Sequence, residues 1–470
     1  MSALQLTAAN YGRPRVGLPT TRMVNAYVEK TDEGPTGAAR IPRPGLTLQY
    51  TIGSGPILRQ YQKPGAFGGS LFSISGGNLY KDQTLVGSVA YSQSPRMAAA
   101  NGSLAIVSGG GLYVYSAGVL TAVQFFDDGV SRLPSFSGVA VLYNIFIFPV
   151  AGSTEFFFSA VGDPTKINAA NFSNAQTSPD PIIEVQVLAE ELLFFKSTAI
   201  EFWDYNGALT APFALSTGRT YARGCAAQGS VVQLDNAMFW VGQDYSVYRS
   251  GAVPTKISTP VIDDRIRAAS TGVTLLNQMT AYAVEVEGHV FYVMNLPAIG
   301  ESYAYDCQTQ LWAQWGTLTA FSPEPGLFEA QTCAGQGSQT WLGSGSSGKV
   351  YLLDVNNATD NGASKRVVVS GYKWTGGGMM RCNNISLHCV RGVGNAAVPN
   401  PVVEMRFSDD GGRTFSSWFQ SILGPQGAYD YKAVWRSLGL IQQPGRLFEF
   451  AVSDPVNFTV EGASINEARI

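Results

Sequence analysis

The 470 residues carry 31 Lys and Arg against 34 Asp and Glu, a formal charge of −3, with 14% charged residues, 11% aromatics and 52 glycines. This balance excludes a chain whose main affinity is for nucleic-acid phosphates or for an anionic membrane surface. Few charges with many glycines and aromatics describe a turn-rich all-β protein, because exposed helix faces are built from Glu, Lys, Arg and Ala.

Residues 1–50 read as an extended N-terminal arm. Pro14, Pro19, Pro35, Pro42 and Pro44 break any helix, and 20–28 is a candidate first strand. The opening Met1-Ser-Ala-Leu-Gln-Leu has no basic region leading into an apolar core, so no secretory leader is expected. Arg13, Arg15, Arg22, Lys30, Arg40 and Arg43 are expected to keep the arm solvated, and no aromatics alternate with them as a nucleic-acid groove requires.

From 51 to 365 one unit recurs: an apolar run, a polar turn and a second run carrying an aromatic. It appears in Ser73-Ile-Ser-Gly-Gly-Asn-Leu-Tyr80, in Val107-Ser-Gly-Gly-Gly-Leu-Tyr113, in Leu192–Trp203 around a polar turn, and in Phe239–Tyr248 around Gly242-Gln-Asp244. Tyr303–Trp315, turning at 306–310, and Thr340–Tyr351 repeat it. The aromatics Tyr80, Tyr113, Phe156, Trp203, Tyr248, Trp312 and Tyr351 mark a β-propeller of six or seven four-stranded blades. Val139–Val150 is too short to span a bilayer and reads as one buried strand. A single helix is predicted over 258–267, with Val261, Ile262 and Ile266 on one face and Asp263-Asp264 as solvated first-turn acids. Residues 366–470 lose the repeat. Their longer alternating strands predict a β-sandwich-like domain.

Candidate chemistry is sparse. Cys225, Cys307, Cys333, Cys382 and Cys389 are an odd, scattered set, which fits a reduced compartment better than a disulfide framework. His289 and His388 stand far apart with no carboxylate cluster, and read as turn or strand residues. Gly109-Gly-Gly111 and Gly376-Gly-Gly378 lack the Lys and Ser/Thr of a phosphate loop and read as turns. No catalytic, metal or cofactor residue is therefore expected.

The sharpest local motif is Ser408-Asp-Asp-Gly-Gly-Arg-Thr-Phe415, an Asp-box pattern in which Asp410 accepts the turn hydrogen bonds beside Ser408, Gly412, Thr414 and Phe415. With Arg40-Ile-Pro42 it resembles sialidase-type propellers, the alternative being a glycan-binding or sialidase-like protein. The Asp-box, however, stands outside the blades, and Arg40-Ile-Pro42 runs into Arg-Pro-Gly as a loop would. No nucleophile pair is spaced for glycoside cleavage.

A longer series carries a stronger resemblance. It comprises Val24-Asn-Ala-Tyr27, Arg43-Pro-Gly45, Arg223-Gly-Cys225, Phe239-Trp-Val-Gly-Gln-Asp-Tyr-Ser-Val-Tyr-Arg249 and Ile257-Ser-Thr-Pro260. Glu287-Gly-His-Val-Phe-Tyr292, Tyr305-Asp-Cys with Leu311-Trp312, Ser408–Thr414 and Trp435-Arg-Ser-Leu-Gly439 complete it. In this order the pieces resemble the packaged-DNA stabilisation proteins of short-tailed bacteriophages, the tail hub or nozzle below the portal. The resemblance implies a non-enzymatic virion tail protein, made in the bacterial host cytoplasm and present as a homo-oligomer of six copies. Its implied partners are the head-to-tail adaptor ring, the tail needle or plug and the tailspike, with genomic DNA only as cargo passing through the channel.

Overall fold

The computed structural model of the chain describes residues 2–7, 9–10, 19–30, 37–208, 210–271, 276–318, 322, 324–335 and 340–466. Arg13 and Arg15 of the basic lead-in lie outside the described residues. The only α-helix among the described residues is Pro260–Ala269; almost everything else regular is antiparallel β.

Short turns generate the repeat. Asn101-Gly102, Tyr143-Asn144, Asp235-Asn236 and Glu287-Gly288 each put two successive residues in left-handed backbone. That geometry matches the strand twist and closes a two-residue hairpin. One such turn splits the expected buried strand at 139–150 into Ala140–Leu142 and Ile145–Pro149. The apolar run hid this turn because it contains no glycine.

The meanders 57–88, 96–123, 140–174, 182–221 and 232–256 are separate four-stranded sheets. A sixth is built from 330–354 and takes its outer strand from Gly45–Thr51, which pairs antiparallel with Lys349–Asp354. The ring is thus closed by a strand from the beginning of the chain. A further four-stranded meander, 280–315, stands in the ring between 232–256 and 330–354 but is continuous with the C-terminal sheet. The inner strand 57–61 lies against 330–334, joining the two ends of the circle. Tyr80, Tyr113, Phe156, Trp203, Tyr248 and Tyr351 all fall on the third strand of their wedge, whereas Trp312 falls on the fourth.

The cores lie between wedges rather than inside them. One unites Phe146, Phe148 and Phe157 with Val107 and Val114 of the preceding wedge, and the next unites Phe156 and Phe158 with Phe194 and Trp203. Each such aromatic removes apolar surface worth about 1.5–3 kcal/mol from water. The helix buries Ile262, Ile266 and Ala269 against Phe239, Met294 and Tyr303. Its Asp263 corrects the expectation of a solvated acid: the carboxylate is buried, accepting from the Ser258 hydroxyl and from Lys256, while Asp264 stays exposed beside Arg267. The loop that precedes the helix folds back over its first turn, and this supplies the partners.

The sandwich-like region is one sheet curled into a half-barrel whose two arms share a core. Its order runs 433–436, 384–389, 460–465, 2–6, 367–374, 445–452, 402–408 and 419–422. Met23–Val24 joins it to the propeller, pairing parallel to Leu311–Trp315 and antiparallel to Val367–Trp374. A single core therefore runs from Phe291, Trp315 and Phe328 of the propeller into Val369, Trp435 and Phe450 of the half-barrel.

This junction corrects the expectation of a solvated arm. Arg43 is fully buried. Its guanidinium pairs end-on with Asp360, Nη1 to Oδ1 at 2.9 Å and Nη2 to Oδ2 at 2.5 Å. Nε donates to Asn25 Oδ1 at 2.8 Å, and the remaining hydrogens reach the carbonyls of Pro44 at 3.0 Å and Gly316 at 3.1 Å. The face of the cation lies 4.3 Å from the Phe328 ring centroid. Asn25, itself in left-handed backbone at φ 54°, also receives the Gly316 amide at 2.9 Å and donates to Arg366 O at 2.8 Å. A Cβ on Gly45 would overlap the carbonyl oxygens of Thr359 and Asn357. Arg40 likewise turns inward from a strand, Ala38–Pro42, rather than a loop, and donates to Leu6 O and Thr7 O.

Removing one partner of such a pair strands a buried charge. Arg43→Ala is expected to cost about 3–5 kcal/mol in denaturant unfolding. Arg43→Lys should recover little of it, because an ammonium cannot reproduce the planar five-donor fork.

Candidate functional site

The Asp-box motif forms a self-contained turn at the end of strand Val402–Ser408. Asp410 accepts from the Thr414 hydroxyl at 2.6 Å, the Thr414 and Arg413 amides at 2.9 Å and the Ser408 hydroxyl at 2.7 Å. These bonds, the Thr414 hydroxyl foremost, hold its carboxyl well below the usual carboxylate range. Gly412 sits at φ 97°. Phe415 is half-buried, with the Arg406 guanidinium 4.0 Å from its centroid. Neighbouring Asp409 takes both arms of Arg446, at 2.6 and 2.8 Å. Arg446 in turn binds the carbonyls of Leu438 and Leu440, so this turn fixes the segment after Trp435-Arg-Ser-Leu-Gly439. The turn also touches the lead-in, where the Thr20 amide donates to Gly411 O at 2.9 Å.

The other scattered motifs converge at the propeller–barrel junction. Tyr27 donates to Glu287 at 2.8 Å and packs on the ring of His289, whose Nδ1 lies 2.8 Å from Asp306. Asp306 also receives the Thr309 hydroxyl and the Gln308 amide, ordering its own turn. His289 is thus a buried core residue, and His388 lies on strand Asn384–Cys389 beside Ser464. On the far side, Arg22 and Arg406 both approach Glu324, and Arg406 pairs with the buried Glu449.

Two cavities of about 690 and 660 Å³ flank this junction. The first is lined by Glu29, Glu287, Asn357, Asn395, Asn457 and Lys365. Lys365 is buried and donates to Arg43 O. Burial first, then the neighbouring Arg43 charge, push its ammonium down to about 7, with Asp360 opposing. The second cavity holds Arg22 with Glu324 and Arg265 with Glu301. Among the described residues no group of three His, Cys, Asp or Glu has metal-site spacing, and the five cysteines are free thiols.

Arg96 on inner strand Arg96–Ala100 pairs with Glu184 on inner strand Ile182–Leu188 at 2.5 Å, both buried. A second buried pair, Lys196 with Glu201 at 3.1 Å, ties the loop 175–178 to the fourth wedge. Sequence reading missed Arg43–Asp360, Arg96–Glu184 and Lys196–Glu201. Their one signal is a lone charge inside an apolar strand run, as in Ile182-Ile-Glu-Val or Phe194-Phe-Lys.

A closed ring of meanders sewn to a half-barrel through shared sheet, shared core and a buried Arg–Asp pair defines a rigid β-propeller scaffold. Sequence comparison places it more narrowly. The chain belongs to the phage-stabilisation family described as Bacteriophage P22 Gp10, beta-propeller, whose profile matches residues 44–358. No match was found among curated protein sequences. Similar solved structures include the computationally designed Ika8 protein, at 12% identity over 75% of this chain and 97% of that one, TM-score 0.36. The extracellular domain of BT4673 from B. thetaiotaomicron follows at 9% identity, covering 84% of this chain and 48% of that one, TM-score 0.43. The exo-beta-1,3-galactanase from Phanerochaete chrysosporium has 8% identity, 81% and 96% coverage and a TM-score of 0.30. Likeness at this level carries no functional argument.

Two local outcomes follow. Because Lys365 titrates lower folded than unfolded, the unfolded chain binds the extra proton between pH 7 and about 10.5, and stability rises with pH across that window. Lys365→Met should flatten the rise in urea titrations at pH 7, 8.5 and 10. The depressed Asp410 carboxyl works in the opposite sense to a raised one: its contribution is complete above its unfolded value and lost only as pH falls through the lower folded one. Protection of the Arg413 and Thr414 amides from hydrogen exchange should therefore persist at pH 4 and collapse in Asp410→Ala at any pH.

Proposed function

We propose that this chain is a non-enzymatic tail hub, or nozzle, of a short-tailed bacteriophage virion. The observation that carries the reading is the family match across the propeller, residues 44–358. On this reading several copies, six by the family resemblance, assemble below the head-to-tail adaptor ring, continue the DNA channel and seal the packaged genome. They also hold the tail needle or plug and anchor the tailspikes.

The architecture supports this division of labour. The ring is locked by its own N-terminal strand and by a core shared with the half-barrel, which suits a part that must resist an internally pressurised capsid without opening. Arg96 and Glu184 pair between the inner strands of one propeller, and on this reading the channel for duplex DNA runs between copies rather than through any one of them. The low charge suits such a wall, since a basic surface would grip passing phosphates and slow release.

The test uses filled heads from a phage in which this gene is interrupted. Adding the purified protein should turn leaky heads into ones that retain DNA and accept the remaining tail parts. Heads that hold their genome without it, or wild-type particles that lack it, overturn the reading. Fluorogenic sialosides and host lipopolysaccharide should show no turnover with the same preparation.

A further inference from the structure

The charge of this chain is unevenly placed. Residues 140–221, two adjoining meanders of the ring, hold eight of the 34 acids and three of the 31 lysines and arginines. Three of those acids gather at one hairpin end. Glu191 and Asp204 stand directly opposite on paired strands, with Glu190 next in the turn. Like charges across a ladder weaken it. Arg219 meets Glu191, whereas Glu190 and Asp204 have no cationic partner among the described residues. Beside them Tyr143 and Tyr205 pack together in the open, ring centroids 4.6 Å apart, 46% and 39% exposed, with Glu190 next to the Tyr143 hydroxyl. Tyr143 holds this place from left-handed backbone at φ 50°, which tyrosine rarely adopts. Open rings and opposed carboxylates in one spot weaken the isolated fold, but an interface uses both, as aromatic anchors within a charged rim.

The half-barrel presents the complement. Ala433 and Trp435 of its edge strand Ala433–Arg436 point into the core, which turns Lys432, Val434 and Arg436 outward. Exposed Arg381 lies three residues before Asn384, the ladder partner of Arg436. Tyr429 and Tyr431, 71% and 40% exposed, precede Lys432. The half-barrel's ion pairs engage Arg366, Arg406 and Arg446, leaving Arg381, Lys432 and Arg436 without a carboxylate partner among the described residues. The two surfaces lie towards opposite ends of the molecule. The half-barrel continues the sheet of meander 280–315, and 140–174 is separated from that meander by two others one way round the ring and three the other.

We propose that the Tyr143–Tyr205 face of one copy docks on the Lys432–Arg436 face of the next, with carboxylates meeting cations and tyrosines packed between them. The inference rests on the reading that several copies assemble, and it names the contact. Because the two faces differ, the contact is head-to-tail, the kind that generates a ring when its rotation closes.

Sedimentation of the purified whole chain should show assemblies at about 0.05 M salt whose dissociation constant rises about tenfold or more by about 0.5 M. Glu190→Lys with Asp204→Lys makes both faces cationic, and Lys432→Glu with Arg436→Glu makes both anionic. Each variant alone should sediment as a monomer. Mixed in equal amounts they should assemble again, because every reversed face then meets a reversed partner. All four positions are exposed, which spares the fold. If a reversed variant still fails to fold, Glu190→Gln with Asp204→Asn serves instead and should lose the salt dependence. A wild-type chain that stays monomeric at every concentration, or a mixture no larger than its components, overturns the proposal. Variants that associate as the wild type does assign both faces to other partners and overturn it as well. The hub reading fails separately, through filled heads that hold their DNA without the protein.

Discussion

The architecture hangs on one buried guanidinium. Arg43 stands where the chain leaves the half-barrel strand Ala38–Pro42 and enters the propeller-closing strand Gly45–Thr51. Its five donors reach a carboxylate, an amide side chain and two carbonyls that belong to four separate stretches of sequence. A charge removed from water is tolerable only when all of these are in place together, which makes the junction cooperative. Lysine has neither the reach nor the plane to serve all four. The same site explains Asn25, which bridges Arg43, Gly316 and Arg366, and Gly45, where no side chain fits.

Closure of the ring and attachment of the half-barrel are consequently one event. The strand 45–51 pairs with 349–354 some three hundred residues away, and a loop of that length is entropically costly to close. What offsets the cost is not the ladder alone. Met23–Val24 bridges the fourth strand of the 280–315 meander to Val367–Trp374, and Phe291, Trp315 and Phe328 share a core with the half-barrel. Around the rest of the ring the wedges need no such device, because each buries its aromatics against the next.

Much of this was legible. The hairpin period, the aromatics on outgoing strands and a helix close to the expected 258–267 all follow from local chemistry: turn residues, strand alternation and a proline-initiated amphipathic turn. Tyr143-Asn144 escaped because a left-handed turn without glycine, set inside an apolar run, looks like more strand. Arg40, Arg43 and Asp263 escaped for a different reason. A charged residue in a polar-looking segment is normally solvated, and only contacts from distant segments make burial tolerable. The motif Arg43-Pro-Gly45 marked the position without revealing its purpose, since its partner Asp360 lies at the other end of the propeller.

The sequence by itself determined the all-β class, the repeating wedge and the non-basic surface, because these depend on residues within a dozen positions of one another and on composition. The tertiary structure alone decided which strand closes the ring and how the C-terminal strands curl into a half-barrel. It also decided which charges go inside. Those outcomes depend on pairings across hundreds of residues, where register, desolvation and the supply of hydrogen-bond partners are settled together and leave no local pattern to read.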